Sequence, residues 1–141
     1  MAYAIKAEIH ATLAQTFVFR EQKTMYGGKS IAKGDIVFIF ASENEKGEGL
    51  IARGIVTTAE ATPKKRGVAR QTPRVSMTVK RTALTKRPLG RKELKPYQDW
   101  ADGRPETELN FKLYRQATNK VVGLSDAVET FLRSYFSGSQ A

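Results

Sequence analysis

The sequence contains no cysteine and a single histidine, His10. Without cysteine there is no disulfide, no cysteine-ligated zinc site and no thiol nucleophile. One histidine also excludes a histidine pair or a three-histidine metal site within one chain. These absences remove a large share of enzyme classes, and we assign no metal site, no cofactor and no catalytic residue.

Long apolar runs are also missing. A membrane-spanning helix needs a run of about 18 or more apolar residues, and none occurs. The first ten residues, MAYAIKAEIH, carry charge within their apolar stretch and lack the layout of a signal peptide. Hydrophobic residues make up 40% of the 141 positions, which is compatible with a folded core. We therefore expect one soluble, cytoplasmic domain over residues 1–141, and a monomer.

Acidic residues are almost absent between Pro63 and Lys95. Glu93 is the one acid there, against twelve basic residues, so the formal charge of the segment, +11, exceeds the +10 of the whole chain. The basic residues are Lys64, Lys65, Arg66, Arg70, Arg74, Lys80, Arg81, Lys86, Arg87, Arg91, Lys92 and Lys95. A near-neutral body with one basic block predicts a polyanionic partner, RNA or DNA.

Period-two alternation predicts most of the secondary structure. Tyr3 to His10 alternates apolar and polar residues, which is typical of a half-buried strand. Ile36 to Ala41 is apolar throughout and predicts a strand covered on both faces. Leu50 to Ala59 predicts a second strand that forms a hairpin with it. Gly54 within this strand indicates a bulge or a close backbone approach. Further strands are expected at Thr16–Arg20, with Phe17 and Phe19 on one face, at Arg74–Lys80, and at Leu109–Tyr114, with Phe111 and Leu113 on one face.

Helical patterns are short until the C-terminal part. Arg91 to Trp100 predicts one or two helical turns. Ser125 is a suitable N-cap, and apolar residues recur from Ala127 to Phe136 at helical spacing. Gly138 would end this helix as a left-handed C-cap. The pattern predicts an α+β domain in which a terminal helix packs on a small twisted or closed sheet.

The run Lys33-Gly34-Asp35 followed by Ile36 to Phe40, together with Gly49 to Val56, resembles the EVE-type domain of the PUA-like superfamily, which is related to YTH and ASCH domains. The matching pieces cover about a third of the chain. The resemblance implies a PUA-like pseudobarrel of mostly antiparallel strands with a C-terminal packing helix. It also implies a barrel pocket that captures a nucleotide base, commonly a modified one.

Candidate base-binding residues are aromatic, amide, hydroxyl and glycine residues, because bases stack on rings and pair with polar edges. They are Tyr26, Gly27, Gly28, Lys29, Ser30, Phe40, Ser42, Trp100, Tyr114, Arg115, Gln116 and Asn119. Several have ordinary structural interpretations: Phe40 lies in an apolar strand, and the glycine pair is equally typical of a turn.

Candidate backbone-binding residues come from the basic segment. Arg74 and Lys80 would lie on the exposed face of a strand, and the flanking loops would extend the contact with phosphates. The full set is Lys64, Lys65, Arg66, Arg74, Lys80, Arg81, Lys86 and Arg87.

The main hypothesis is thus a non-enzymatic nucleic-acid-binding module. An alternative is an ASCH-type amidohydrolase acting on a modified nucleoside through Lys23, Thr24 and an acid such as Glu60. A third is an accessory domain that docks on acidic protein surfaces. The sequence leaves open whether RNA or DNA is bound and which base modification is preferred.

Overall fold

A computed structural model describes residues 2–43, 48–115 and 119–136. The strands are β1 (Ala2–Ala7), β2 (Thr16–Met25), β3 (Ile36–Ala41), β4 (Gly49–Ala61), β5 (Arg74–Leu84) and β6 (Lys120–Gly123). The α-helices are α1 (Arg91–Leu94), α2 (Pro105–Leu109) and α3 (Asp126–Arg133). A short 3₁₀ turn covers Gly28–Ser30, and a π-helical turn, Asn110–Tyr114, continues directly from α2.

The six strands close into a barrel in the order β1-β3-β4-β5-β2-β6. The pairs β1–β3 and β2–β6 are parallel, and the other four pairs are antiparallel. In this order β5 lies three strands from β1 in either direction, so the two strands form opposite walls. The predicted pseudobarrel of mostly antiparallel strands is confirmed.

Apolar side chains from every strand fill the barrel interior. The inward-facing cluster includes Tyr3, Ile5, Ala7, Phe17, Phe19, Val37, Ile39, Ile51, Val56, Val75, Met77, Val79 and Val121. Alternation on β2 and β5 follows the predicted pattern, with Phe17, Phe19 and Val75 buried and their neighbours exposed or half-buried. The packed interior leaves the candidate recesses on the outside of the barrel, so the expectation of a base inside it is not confirmed.

A second apolar layer covers the outer faces of β1, β3 and β6. Phe38 and Phe40 on β3 pack there with Leu94 of α1, Leu109 of α2 and Leu132 of α3. Both faces of β3 are consequently buried, as predicted. The prediction of a half-buried first strand is wrong: β1 is buried at every position, because the helical layer covers its outer face too.

The segment Leu109–Tyr114 is also not a strand. Pro105 begins α2 and acidic residues occupy its first turn, both favourable at a helix start, and the helix widens into the π-helical turn. The apparent alternation of Phe111 and Leu113 reflects this helical geometry. In α3 the Ser125 hydroxyl accepts a hydrogen bond from the Val128 amide (3.2 Å), so the predicted N-cap is confirmed. The predicted C-cap, Gly138, lies outside the described residues.

The β3–β4 hairpin and the close approach at Gly54 are confirmed. The register of β4 against β5 shifts between Arg53 and Gly54. A Cβ at Gly54 would lie 2.6 Å from the Lys80 carbonyl oxygen and 2.5 Å from a Val79 methyl group. A glycine is therefore required for the two strands to approach at this point.

Candidate nucleic-acid interface

The loop that connects β4 to β5 encloses a cavity of about 580 Å³, here called the hairpin cavity. Five cationic side chains line it: Lys23 from β2, and Lys64, Lys65, Arg70 and Arg74 from the loop and the start of β5. Glu21 is the one carboxylate in its lining. The cavity is therefore strongly positive and suited to phosphate groups.

Side-chain hydrogen bonds hold the loop of the hairpin cavity in shape. The Gln71 amide oxygen accepts from the Lys65 N–H (2.8 Å), and its nitrogen donates to the carbonyls of Lys65 (2.8 Å) and Val68 (3.2 Å). One amide side chain thus closes a turn of the loop from inside. It satisfies one backbone N–H and two backbone carbonyls of the loop.

A bulge in β2 also borders the hairpin cavity, at Glu21. The register of β2 against β5 shifts between Phe19 and Gln22, and Glu21 adopts a positive φ of 49°. Its N–H donates to Ser76 Oγ (2.9 Å), and its carbonyl accepts from Arg74 (2.8 Å). A non-glycine residue in this region is strained, and bulges commonly redirect side chains at functional sites.

A second recess, of about 200 Å³, is lined by Trp100, Gly103, Arg104, Thr107, Glu108 and Lys112. In this Trp100 recess the indole is 67% exposed and contacts the Phe111 ring edge-on, with centroids 4.7 Å apart. The Arg115 guanidinium lies 4.9 Å from the same Phe111 ring. An exposed tryptophan held on one edge by a second ring leaves a face free to stack on a base.

Lys112 joins the Trp100 recess to Tyr26. Its ammonium donates to Glu108 Oε2 (3.0 Å) and to the Gly123 carbonyl (2.7 Å), and lies 5.2 Å from the Tyr26 ring centroid. Burial alone would raise the pKa of Glu108, but hydrogen bonds from Ser125 and Lys112 outweigh it and hold that pKa below its usual range. The carboxylate is therefore ionised and keeps Lys112 in place.

Two buried lysines form a third feature, here called the dilysine cluster. Lys6 on β1 pairs with Lys120 on β6, and the two residues are 1% and 0% exposed. The Lys6 ammonium lies 5.1 Å from the centroid of the Tyr114 ring, and the Arg91 guanidinium lies 5.3 Å from it. Glu43 accepts hydrogen bonds from the Tyr114 hydroxyl (2.8 Å) and the Arg91 N–H (2.9 Å).

Burial controls the ionisation of the dilysine cluster. Burial and then the neighbouring charge of Lys6 lower the pKa of Lys120 to about 8. Burial and then the Arg91 charge lower the pKa of Lys6, while Glu43 opposes this shift. Burial and then the hydrogen bond to Glu43 raise the pKa of Tyr114. Sequence reasoning missed both lysines, because each lies on a polar face whose burial only the helical layer reveals.

The structure separates the predicted base-binding residues into groups. Tyr26 and Trp100 are exposed and joined through Lys112, and Arg115 lies against Phe111, the ring that contacts Trp100. Gly27, Lys29 and Ser30 are exposed beside Tyr26, whereas Gly28 is buried where a Cβ would collide with the Val121 carbonyl. Tyr114 lies instead at the dilysine cluster, and Ser42 is buried with its N–H donating to the carbonyl of Ala7, the residue after Lys6.

Three further base-binding candidates fall outside the recesses. Phe40 is fully buried in the outer apolar layer, which leaves neither ring face to a ligand. Asn119 is partly buried immediately before β6. Gln116 lies outside the described residues.

The predicted backbone-binding residues do not form one patch. Lys64, Lys65 and Arg74 line the hairpin cavity, and Arg66 is exposed in the same loop. Lys80 is exposed further along β5, and Arg81 donates to the carbonyls of Leu13 (2.7 Å) and Ala14 (3.3 Å). Arg87 lies 4.1 Å from the Tyr135 ring centroid and donates to Ser134 Oγ (3.0 Å). Lys86 adjoins it, and its N–H donates to the Tyr135 carbonyl (2.8 Å).

The residues proposed for hydrolysis do not converge. Lys23 lines the hairpin cavity, while Glu60 lines a different recess between β2, β4 and β5. The Thr24 hydroxyl donates to the Pro73 carbonyl (2.8 Å). Among the described residues, no three histidine, aspartate or glutamate side chains form a group able to hold a metal ion. No helix in the described ranges is long and apolar enough to cross a membrane.

No family model and no curated protein matches the sequence. Several solved structures are similar in fold, and three of them are described here. The DUF55 domain of human thymocyte nuclear protein 1 has a TM-score of 0.64 and 16% identity, over 95% of this chain and 97% of that one. Human THYN1 protein, in complex with DNA containing 5-methylcytosine, has a TM-score of 0.65 and 17% identity, over 94% and 95%.

A protein of Pseudomonas syringae has a TM-score of 0.60 and 14% identity, over 96% of this chain and all of that one. Identities this low establish the shared fold alone. Because the DUF55 domain is of the EVE type, the predicted EVE-like, PUA-like fold is confirmed over nearly the whole chain.

Proposed function

We propose that this domain, which has the fold of an EVE-type domain, binds nucleic acid through the hairpin cavity and the Trp100 recess. The observation that carries the proposal is the hairpin cavity itself, in which five cations and one carboxylate line a volume of about 580 Å³. Lysine and arginine side chains at such a site replace counterions on phosphates, which is the main source of affinity for nucleic acids.

The two recesses are close enough to act on one strand. Lys23 lines the hairpin cavity, and Tyr26, which touches Lys112 of the Trp100 recess, follows three residues later. Three residues at the end of a strand span about 10 Å. A strand whose phosphates occupy the hairpin cavity would therefore place a neighbouring base against Tyr26 and Trp100.

The base in this account stacks on the outside of the barrel. Stacking on an aromatic side chain contributes about 1–3 kcal/mol per base. Removing a base from a duplex costs a few kcal/mol, so single-stranded, damaged or modified targets bind better than intact duplex. The THYN1 complex contains 5-methylcytosine DNA, which makes methylated cytosine in DNA the first modified base to test.

The remaining candidate residues would add contacts around the two recesses. Gly27, Lys29 and Ser30 border Tyr26 and would contact the sugar-phosphate backbone on that side. Arg66 would add a phosphate contact beside the hairpin cavity. No observation favours the amidohydrolase alternative, because its three residues line different recesses or bond to the backbone.

The proposal is tested by fluorescence anisotropy with labelled oligonucleotides of one sequence. The set comprises single-stranded DNA, duplex DNA and single-stranded RNA, with cytosine or 5-methylcytosine at one position. We expect binding to single strands that exceeds binding to the unmodified duplex. Absence of binding to every oligonucleotide at low salt would refute the proposed function.

A further inference from the structure

The hairpin cavity contains one residue that phosphate binding alone does not explain. Glu21 is the single carboxylate among its lining residues, beside the cations Lys23 and Arg74. A carboxylate repels a phosphate group, so Glu21 opposes the binding that the five cations favour. An ionised carboxylate is also a pure hydrogen-bond acceptor. A ligand that carries donor groups in addition to a phosphate would therefore gain from Glu21.

The backbone holds Glu21 at the cavity in a strained conformation. Its φ of 49° lies in the left-handed region that favours glycine, within the bulge of β2. Its N–H donates to Ser76 Oγ (2.9 Å) and its carbonyl accepts from Arg74 Nη1 (2.8 Å), so side chains of β5 fix both polar groups of its backbone. The exposed side chain lines the cavity. Strained residues and bulges that redirect a side chain are concentrated at functional sites.

The hairpin cavity has room for more than a phosphate group. Its volume of about 580 Å³ lies within the range of about 300–1,000 Å³ that is usual for sites of small organic ligands. A phosphate together with its sugar and base is a ligand of this class. The cavity is therefore large enough to receive one whole nucleotide of a strand.

Glu21 and Arg74 present acceptors and donors side by side. The Arg74 guanidinium lies against Glu21, because one of its nitrogens donates to the Glu21 carbonyl. A guanidinium has five N–H donors, so this hydrogen bond leaves others for a ligand. The base that complements the two side chains has a pair of adjacent donors next to acceptors.

Guanine is the base whose edge has this pattern. Its N1–H and N2–H groups are adjacent donors that suit the two oxygens of one carboxylate, and O6 and N7 are acceptors that suit arginine. In adenine and cytosine the amino group is next to a ring-nitrogen acceptor, and in thymine and uracil the N–H lies between two carbonyl oxygens. Each of these bases would place an acceptor against a carboxylate oxygen. In a single strand the Watson–Crick edge is free to be bound in this way.

From this arrangement we propose that Glu21 and Arg74 bind guanine in the hairpin cavity. The Glu21 carboxylate accepts from N1–H and N2–H, and Arg74 donates to O6 and N7. The other cations of the cavity contact the phosphate of the same nucleotide. This inference rests on the proposed function, in which the neighbouring base of the strand stacks on Trp100. It defines the preferred ligand as a single strand that contains guanine.

The base dependence of affinity is the first test. Labelled thymine DNA strands carry one central guanine, hypoxanthine, adenine or cytosine, an all-thymine strand is the reference, and fluorescence anisotropy measures binding. A good bidentate contact discriminates by about fivefold or more, so the guanine strand should bind more tightly than the all-thymine strand by at least that factor. Hypoxanthine keeps N1–H, O6 and N7 but lacks the N2 amino group. The hypoxanthine strand should therefore have an intermediate affinity.

Two matched variants test the carboxylate. Glu21→Gln replaces one acceptor with a donor, which opposes one of the two guanine donors, so the preference for guanine over hypoxanthine should be lost. Glu60→Gln removes the same charge from an exposed carboxylate that lines a different recess, and it should keep the preference. Glu21→Gly adopts a positive φ without strain. This third variant should unfold at the same or a higher urea concentration than the wild type and still lose the preference.

The wild-type measurements separate this inference from the proposed function. Equal affinity for all strands, or tightest binding of the adenine or cytosine strand, would overturn the guanine contact and leave the proposed function intact. Absence of binding to every strand at low salt would refute both. Equal effects of Glu21→Gln and Glu60→Gln on the guanine preference would also overturn the inference, because charge alone would then explain them.

Discussion

The Tyr114 hydroxyl donates a 2.8 Å hydrogen bond to Glu43 Oε1, which ties the π-helical turn before β6 to the segment after β3. The backbone N–H of Arg91 donates to the same oxygen. The Glu43 carboxylate therefore connects the end of β3, α1 and the π-helical turn, where the Tyr114 ring lies against Lys6 of the dilysine cluster. Removing either partner should loosen this corner without altering the barrel interior.

Tyr114→Phe should lower the free energy of unfolding by about 1–2 kcal/mol at neutral pH, since it leaves Glu43 with one fewer donor to a charged acceptor. Urea unfolding measures the change. Tyr135→Phe is the matched control, because the ring of Tyr135 keeps its contacts with Phe131 and Arg87. An equal loss of stability in both variants would argue against a specific role of the hydrogen bond.

The same tyrosine should produce a dependence on alkaline pH. The pKa of Tyr114 is raised in the folded state by burial and then by Glu43, whereas the unfolded value is near 10. Its stabilising contribution is therefore complete below about pH 10 and declines as the pH rises beyond that value. Tyr114→Phe should show a smaller loss of stability than the wild type between about pH 9 and 11.

Gly28 should prove structural, although the sequence made it a candidate base contact. A Cβ at this position would meet the Val121 carbonyl, including its carbon at 2.7 Å. Gly28→Ala should therefore destabilise the fold by about 1–3 kcal/mol through overpacking against β6. Lys29→Ala, one residue later and exposed, should change stability by less than about 0.5 kcal/mol. Thermal and urea unfolding of the two variants make the comparison.

Gln71 should control affinity through the shape of the hairpin cavity. Gln71→Ala removes three hydrogen bonds that close the loop, but no charge and no core contact. We expect weaker oligonucleotide binding with stability changed by less than about 1 kcal/mol. Gln98→Ala, which removes one amide bond to the Lys95 carbonyl in another exposed turn, is the control. Unaltered affinity in Gln71→Ala would show that the order of the loop is irrelevant to binding.

Trp100 should report binding directly, because it is the single tryptophan of the chain. A base stacked on its indole should quench the fluorescence, and Trp100→Ala should weaken binding by about 1–3 kcal/mol. Trp100→Phe, which keeps an aromatic ring, should lose less binding free energy than Trp100→Ala. Leu13→Ala truncates an equally exposed apolar side chain on the loop between β1 and β2, which lines neither recess, and should leave affinity unchanged. Oligonucleotide binding without any change in fluorescence would contradict stacking at Trp100.

Much of the fold could be predicted because its signals are local. The apolar run Ile36–Ala41, the glycine at position 54 and the Ser125 cap each act within a few residues. The burial of β1 could not be predicted, because the helices that cover Lys6 are distant in sequence. The prediction of a strand at Leu109–Tyr114 was wrong for a related reason. Over six residues, the positions of Phe111 and Leu113 fit a strand pattern as well as a helical one.

The candidate site could be predicted less completely. Twelve cations close together in sequence suggested one surface, but β5 is 11 residues long and its ends lie about 35 Å apart. Cations near Arg74 line the hairpin cavity, whereas Arg87 packs against Tyr135, just after the end of α3. Lys23 joins the cavity only through strand pairing, which composition cannot reveal. The single-domain organisation, the monomeric state and the cytoplasmic location stay predictions.

The dependence of oligonucleotide affinity on salt tests the central claim most directly. Each phosphate contact contributes about 0.7–0.9 to the slope of log affinity against log salt concentration. Replacing Lys64, Lys65 and Arg70 together with glutamine should reduce that slope by about 2. Replacing the exposed cations Lys33, Lys92 and Lys95, which line neither recess, should leave it nearly unchanged. A slope that is the same in both triple variants and in the wild type would contradict phosphate binding in the hairpin cavity.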